Sequence, residues 1–208
     1  MKTFILALLV LTNLCLFSQT KKPVGHKHTG FYERTTLGGG YTSMSESVGS
    51  TTVDMTGMSV DFNAHFGYSL AQNFQIYGVI GYNIMPSPKY KVNGTEVTAS
   101  TSSRLSLVRM GAGATYYFMP INIFGAFDIA AGKNQVETMG LTANTDWGYI
   151  INLSAGKEWW VAREWGVGAM LYFYAGSIND VTVNTLTGPV TPKISNTGFG
   201  ISFTATFN

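Results

Sequence analysis

Apolar and polar residues alternate with a period of two over most of this chain. Between Met58 and Leu70 the even-numbered positions are apolar or aromatic, whereas the odd-numbered positions are polar residues or glycine. Successive side chains of a β-strand point to opposite faces, so this segment predicts a strand with one apolar and one polar face. A helix would instead repeat about every 3.6 residues. Similar alternation predicts seven further strands, the first of them weakly marked, within 32–44, 74–84, 108–118, 121–131, 147–159, 165–173 and 199–207.

The connections between these predicted strands are short and long in turn. Tight turns are predicted at Ala71-Gln72-Asn73, Met119-Pro120 and Ala162-Arg163. Long polar loops are predicted near 45–57, 86–103, 133–146 and 177–196. Short turns at one end and long loops at the other are typical of outer-membrane barrels, in which the short turns are periplasmic. The pattern therefore predicts an all-β fold, an eight-stranded antiparallel up-and-down transmembrane β-barrel with four extracellular loops.

The first residues have the composition of an export signal. Lys2 precedes an almost unbroken apolar run over 4–17, which Ser18 follows. A basic start, a short apolar core and a small residue after it describe a secretory signal peptide, and the run is shorter than the roughly 20 residues of a transmembrane helix. Cys15 is the single cysteine, and Leu14 precedes it where a lipoprotein signal has a small residue. We expect a signal peptide at 1–18, a periplasmic leader at 19–30 and the barrel domain at 31–208.

The aromatic residues indicate which face of the strands meets lipid. Charged residues make up only 12% of the chain and the net charge is +2, a composition that excludes a nucleic-acid-binding tail. Aromatic residues near both strand ends on the apolar face match the two girdles of a membrane barrel. The predicted girdle residues are Tyr41, Tyr68, Tyr82, Tyr116, Trp147, Tyr149, Trp159, Trp165 and Phe207. The alternative, a soluble lipid-binding barrel, would turn the apolar face inward.

Three segments make the chain similar to the small eight-stranded outer-membrane barrels, the class of the OmpA membrane domain and OmpX. They are 30–41, which contains three consecutive glycines, 155–161, and the terminal strand 198–207. The resemblance implies a location in the outer membrane of a Gram-negative envelope, in contact with outer-membrane lipid and lipopolysaccharide, and folding by the barrel-assembly machinery. One departure is that Asn208 follows Phe207, whereas such chains often end on the aromatic residue.

Charged residues on the polar face are the candidates for chemistry inside the barrel. They are Asp61, His65, Arg109, Asp128 and Glu158. An eight-stranded barrel is just wide enough for side chains to fill it, and buried charges must pair. We therefore predict a structural polar network in which Arg109 bridges Asp61 and Asp128, with His65 close by. The alternative interpretation of the same residues is a proton relay or an ion path.

No combination of residues predicts catalysis. Ser, His and carboxylate side chains cannot be placed together on one accessible surface, and His26-Lys27-His28 lies in a leader expected to be solvated. We therefore predict no enzyme activity, no metal site and no cofactor. The expected role is structural support or surface interaction through the loops, where specificity usually lies. Alternatives are a narrow pore for ions or small solutes, a lipid A-modifying enzyme, and the soluble lipid-binding barrel. Asn93-Gly94 predicts a turn at the tip of the second loop.

Overall fold

A computed structural model describes residues 27–97, 103–119, 121–185 and 188–208. The predicted signal peptide and most of the predicted leader lie outside these residues. Strands make up most of the described chain, and no described helix is long and apolar enough to span a bilayer. The strands are β1 (Phe31–Val48), β2 (Thr51–Ala71), β3 (Phe74–Pro86), β4 (Lys89–Val92), β5 (Thr95–Val97), β6 (Arg104–Phe118), β7 (Ile123–Thr138), β8 (Leu141–Asn144), β9 (Gly148–Trp160), β10 (Trp165–Asn179), β11 (Val183–Thr185), β12 (Gly188–Val190) and β13 (Lys193–Phe207).

Eight of the described strands form a closed antiparallel ring. Its order is β1, β2, β3, β6, β7, β9, β10 and β13. β13 pairs back with β1 over its whole length, from Glu33 opposite Phe207 to Ser47 opposite Lys193. Closure pairs the backbone of every ring strand on both sides, which a strand in hydrocarbon requires. The predicted eight-stranded up-and-down barrel is confirmed.

The short turns lie where the sequence predicts them. β2 and β3 are separated by two residues, and Asn73 there adopts a positive φ of 67°. Four residues join β6 to β7, and four residues join β9 to β10. The Asn93-Gly94 turn is also confirmed, since φ is 49° and 81° at these residues, as a two-residue hairpin of type I′ requires.

Two of the predicted long loops are instead continuous β-hairpins. β1 and β2 stay paired through most of the segment 45–57, which was predicted as a loop, and are joined only by Gly49 and Ser50. Within the predicted loop 133–146, β7 and β8 are joined only by Met139 and Gly140. The prediction was wrong because polar composition was taken to mean an irregular loop. Ser- and Thr-rich segments pair as strands where their partner strand continues above the membrane, and Thr favours strands.

The apolar face of every barrel strand points away from the lumen. On β2, for example, Met58 is 70% exposed whereas the neighbouring Ser59 is 4% exposed. A soluble barrel would show the opposite arrangement, so the soluble lipid-binding alternative is wrong. Nearly all predicted girdle residues are exposed on the outer wall, and Trp165 and Phe207 are partly covered by each other, with ring centroids 5.4 Å apart.

Candidate functional site

The lumen contains two ion pairs at different heights, and the upper one is centred on Arg109. Its Nη2 donates hydrogen bonds to Asp61 Oδ2 at 2.6 Å and to Asn63 Oδ1 at 2.8 Å. Asp61 also accepts hydrogen bonds from the amides of Asn63 and Asn83, at 2.5 and 3.3 Å. The guanidinium lies over the ring of Tyr174, 4.9 Å from its centroid. Arg109 and Asp61 therefore form a buried, hydrogen-bonded ion pair, as the sequence predicts for these two residues.

The lower ion pair joins Arg34 of β1 to Glu158 of β9. Arg34 Nε lies 3.4 Å from Glu158 Oε1, and both side chains are almost fully buried. Tyr117 links the two, because its hydroxyl accepts a hydrogen bond from Arg34 Nη2 at 2.5 Å and donates one to Glu158 Oε2 at 3.0 Å. Thr206 donates to Glu158 Oε1 at 2.6 Å, and the Phe124 ring stacks on the guanidinium at 3.8 Å. Glu158 is thus satisfied by charge and by hydrogen bonds.

Arg34 is a buried charge of the lumen that the sequence pattern did not single out. It lies in the first strand, whose alternation is the weakest in the chain because consecutive threonines and glycines interrupt it. The available signal is its parity with Tyr32 and Thr36, which flank it at a spacing of two and are also fully buried in the lumen.

Asp128 does not belong to the Arg109 pair, which corrects the predicted bridge. Its Oδ2 accepts a hydrogen bond from the Asn152 amide at 2.6 Å. The salt bridges of the described residues place Arg109 with Asp61 alone. Among the described residues, the buried charges of the lumen are thus the carboxylates of Asp61, Asp128 and Glu158 and the guanidiniums of Arg34 and Arg109, and Asp128 has no salt bridge.

His65 is buried between the two ion pairs. Its Nδ1 donates a hydrogen bond to the backbone carbonyl oxygen of Arg34 at 3.0 Å. The rings of His65 and Tyr77 meet edge to face, with their centroids 4.9 Å apart. His65 is close to the predicted network, but it supports the backbone of β1 and does not bind Arg109 directly.

His28 closes the periplasmic end of the lumen. It is fully buried, and its ring stacks on Tyr117 with centroids 3.4 Å apart and lies 4.8 Å from the ring of Trp160. Nε2 is 2.7 Å from Asn122 Oδ1. Burial lowers the pKa of His28 below its ordinary value. The expectation of a solvated leader is therefore wrong at this residue. His28 precedes the alternating segments, so the sequence pattern gives no sign that its side chain is buried.

Apolar side chains close the opposite end of the lumen. They point inward from the loop-side ends of six barrel strands and are each 2% exposed or less. They are Met44, Met85, Leu105, Leu107, Ile150, Ile178 and Ile194. Together with the ion pairs and His28, they place buried side chains at successive levels of the barrel.

Lys157 lies on the lipid-facing side of β9, two residues before Trp159 and near the periplasmic interface. Its Nζ donates a hydrogen bond to the carbonyl oxygen of Ile121 at 2.6 Å and lies 5.9 Å from the centre of the Trp159 ring. The long side chain thus carries its charge toward the interface, where a lysine costs about 0–1 kcal/mol. Within the described ranges, no group of three or more His, Cys, Asp or Glu side chains is arranged to hold a metal ion.

Comparison with known proteins gives structural relatives only. No protein-family model matches the chain, and no curated protein matches its sequence. Its structure is similar to that of the outer membrane protein OprG from Pseudomonas aeruginosa, with 13% identity, a TM-score of 0.50, and coverage of 90% of this chain and 100% of that one. It is also similar to Neisserial surface protein A (16% identity, TM-score 0.47, coverage 84% and 96%) and to the outer membrane protein AlkL (14%, 0.48, 91% and 94%).

At these identities the comparisons show the fold alone. That fold is the small outer-membrane β-barrel, and the exposed apolar wall described above is the surface such a barrel presents to lipid. The protein is an integral outer-membrane β-barrel protein.

Proposed function

We propose that the protein acts at the cell surface through its extracellular hairpins and that its barrel does not conduct. The buried side chains inside the barrel carry this proposal. A pore needs a continuous wet path, whereas here two buried ion pairs, His28 and an apolar cluster occupy successive levels of the barrel. The lumen then serves to hold the wall rigid, and no catalytic step is assigned to it.

The extracellular hairpins are the surface at which we propose contact with a partner. β1 and β2 continue past Tyr41 of the upper girdle to a tip at Gly49 and Ser50, and β7 and β8 form a second such tip. Met139 and Leu141 at this second tip are 74% and 77% exposed. Large apolar side chains on an extracellular tip are unfavourable in water, so their presence fits contact with an apolar partner surface.

Bilayer recording tests the non-conducting barrel. The purified protein, inserted into planar lipid bilayers, is expected to give no stepwise conductance. Arg34→Ala and Arg109→Ala, which remove one guanidinium each, open space at the two charged levels and serve as variants in which leakage is expected to rise. Stable single-channel steps from the wild-type protein would contradict the proposal and favour the pore for ions or small solutes.

Whole-cell partitioning tests the surface role of the second tip. Cells that display the protein are expected to adhere to hexadecane droplets more than cells that display a Met139→Ser/Leu141→Ser variant. The matched control is Thr138→Ser/Thr142→Ser, which changes the same hairpin without removing large apolar groups. Equal adhesion of wild type and the Met139/Leu141 variant would count against an apolar contact at this tip.

A further inference from the structure

A shallow groove lies on the lipid-facing wall near the periplasmic ends of β7 and β9. Gly125 and Ala155 lie opposite each other and form its floor. Gly125 has no side chain, and a Cβ placed there would meet no atom within 4 Å. Tyr116 borders the floor on β6 and Leu171 borders it on β10. The groove is open toward the lipid and has a volume of about 590 Å³.

The groove continues toward Lys157. A second hollow of about 370 Å³ shares Ala155 and Leu171 with the first and is also lined by Lys157. The Lys157 ammonium has three hydrogens, of which one is donated to the carbonyl oxygen of Ile121. The groove thus runs from an apolar floor inside the membrane to a cation at the short-turn interface.

We propose that this groove binds one acyl chain of a phospholipid from the periplasmic leaflet and that Lys157 binds the phosphate of that lipid. The apolar floor lacks a side chain at Gly125 and faces hydrocarbon, so a lipid chain can lie along it. The Lys157 ammonium lies beside Trp159, a residue type that marks the headgroup level, and its remaining hydrogens are free to contact an anion. The proposal rests on the membrane location of the barrel and is independent of the surface role.

A second groove on the same wall provides an internal control. It is an open hollow of about 550 Å³ around Gly78. Its lining consists of apolar residues and glycine, among them Phe66, Ile80 and Met110, without a charged side chain. A Cβ at Gly78 would meet its nearest atom at 3.8 Å, an ordinary contact. A Cβ therefore fits at Gly78 as it does at Gly125, but of these two grooves only the one at Gly125 leads to a charged side chain.

Native mass spectrometry of the refolded mature protein in detergent with added phosphatidylglycerol tests the proposal. The wild-type protein is expected to retain one lipid. Gly125→Leu is expected to lose it because leucine fills the floor, whereas Gly78→Leu is expected to keep it. Ala155→Leu fills the same floor from β9 and replaces Gly125→Leu if that variant fails to show the gel mobility of a folded barrel.

Lys157→Gln separates the headgroup contact from the groove. Loss of one charge-assisted contact to phosphate is expected to weaken lipid binding about tenfold without abolishing it. Equal lipid retention by Gly125→Leu and Gly78→Leu would overturn the groove assignment, as would the absence of retained lipid on the wild-type protein. Unchanged affinity in Lys157→Gln would overturn the phosphate contact. None of these outcomes bears on bilayer conductance or hexadecane adhesion, so failure of this site is distinguishable from failure of the proposed function.

Discussion

Each guanidinium buried in the lumen depends on one carboxylate. Arg109 neutralises Asp61 at 2.6 Å, and Arg34 neutralises Glu158 at 3.4 Å. The paired strands are not neighbours in the ring, since β2 and β6 are separated by β3, and β1 lies three strands from β9. The ion pairs therefore connect parts of the wall that share no backbone hydrogen bonds. Their loss affects the barrel more than the loss of a surface ion pair would.

Removing one partner of the upper ion pair is expected to destabilise the barrel strongly. In Arg109→Ala the Asp61 carboxylate remains buried without a cation, at a cost of about 3–5 kcal/mol. The measurement is the urea midpoint of the gel-mobility shift in lipid vesicles. Arg109→Met/Asp61→Leu, which removes both charges at similar volume, is expected to recover most of the loss. A midpoint in Arg109→Ala equal to that of the wild type would refute the structural role of the pair.

Removing the charge of Asp128, which has no salt bridge among the described residues, is expected to have the opposite effect on stability. Asp128→Asn keeps the shape of the side chain and removes a buried charge that has no cation, so we expect the free energy of unfolding to be unchanged or to rise by about 1 kcal/mol. Glu158→Gln removes a charge that Arg34 requires and is expected to lower it by about 3 kcal/mol. Both variants are compared in the same urea titration. If Asp128→Asn were the more damaging of the two, the assignment of charges in the lumen would be wrong.

Some elements of this fold can be predicted from the sequence more readily than others. Strands were predictable from Met58 onward, because each buries one face and exposes the other to lipid. The hairpin extensions were not, since above the membrane both faces meet water and the apolar–polar contrast disappears while strand pairing continues. The partners of the lumen charges were also beyond prediction. Parity places Arg109 and Asp128 on one face, but only the register of the closed barrel decides which charges meet.

The short segment before β1 is an element whose attachment depends on pH. Burial lowers the pKa of His28 below its ordinary value of 6.5, so the detached segment binds a proton more readily than the docked one. Docking is therefore strongest above pH 6.5 and weakens as the pH falls below that value. The groups around the imidazole are Asn122, Tyr117 and Trp160, with the charges of Glu158 and Arg34 near it.

Hydrogen exchange measures this attachment. The amide of Asn73 donates to the carbonyl oxygen of His28 at 3.0 Å, so its protection factor reports on docking. We expect this factor to fall between pH 7.5 and pH 5 in the wild-type protein and to be lower but independent of pH in His28→Gln. The same decrease in both proteins would show that His28 does not control the attachment.

At the scale of the whole molecule, the sequence pattern predicts the barrel architecture, whereas the side-chain contacts inside the lumen are seen only in the structure. Alternation, short turns and aromatic girdles predict a membrane barrel with its apolar face outward, and the burial of alternate residues agrees with it along every barrel strand. The lumen contacts that the sequence did not predict involve Arg34, His28 and inward apolar residues at the loop-side ends. These contacts form between residues far apart in the chain, and no local pattern marks them.

Gel mobility of the outer-membrane fraction tests the central claim, a closed barrel embedded in the outer membrane, most directly. Cells that express the full chain are fractionated, and detergent-extracted outer membranes are run with and without boiling. We expect the protein in the outer-membrane fraction and a shift of its mobility on boiling, because a closed barrel resists unfolding in detergent until it is heated. Recovery in the soluble periplasmic fraction, with the same mobility before and after boiling, would contradict the account.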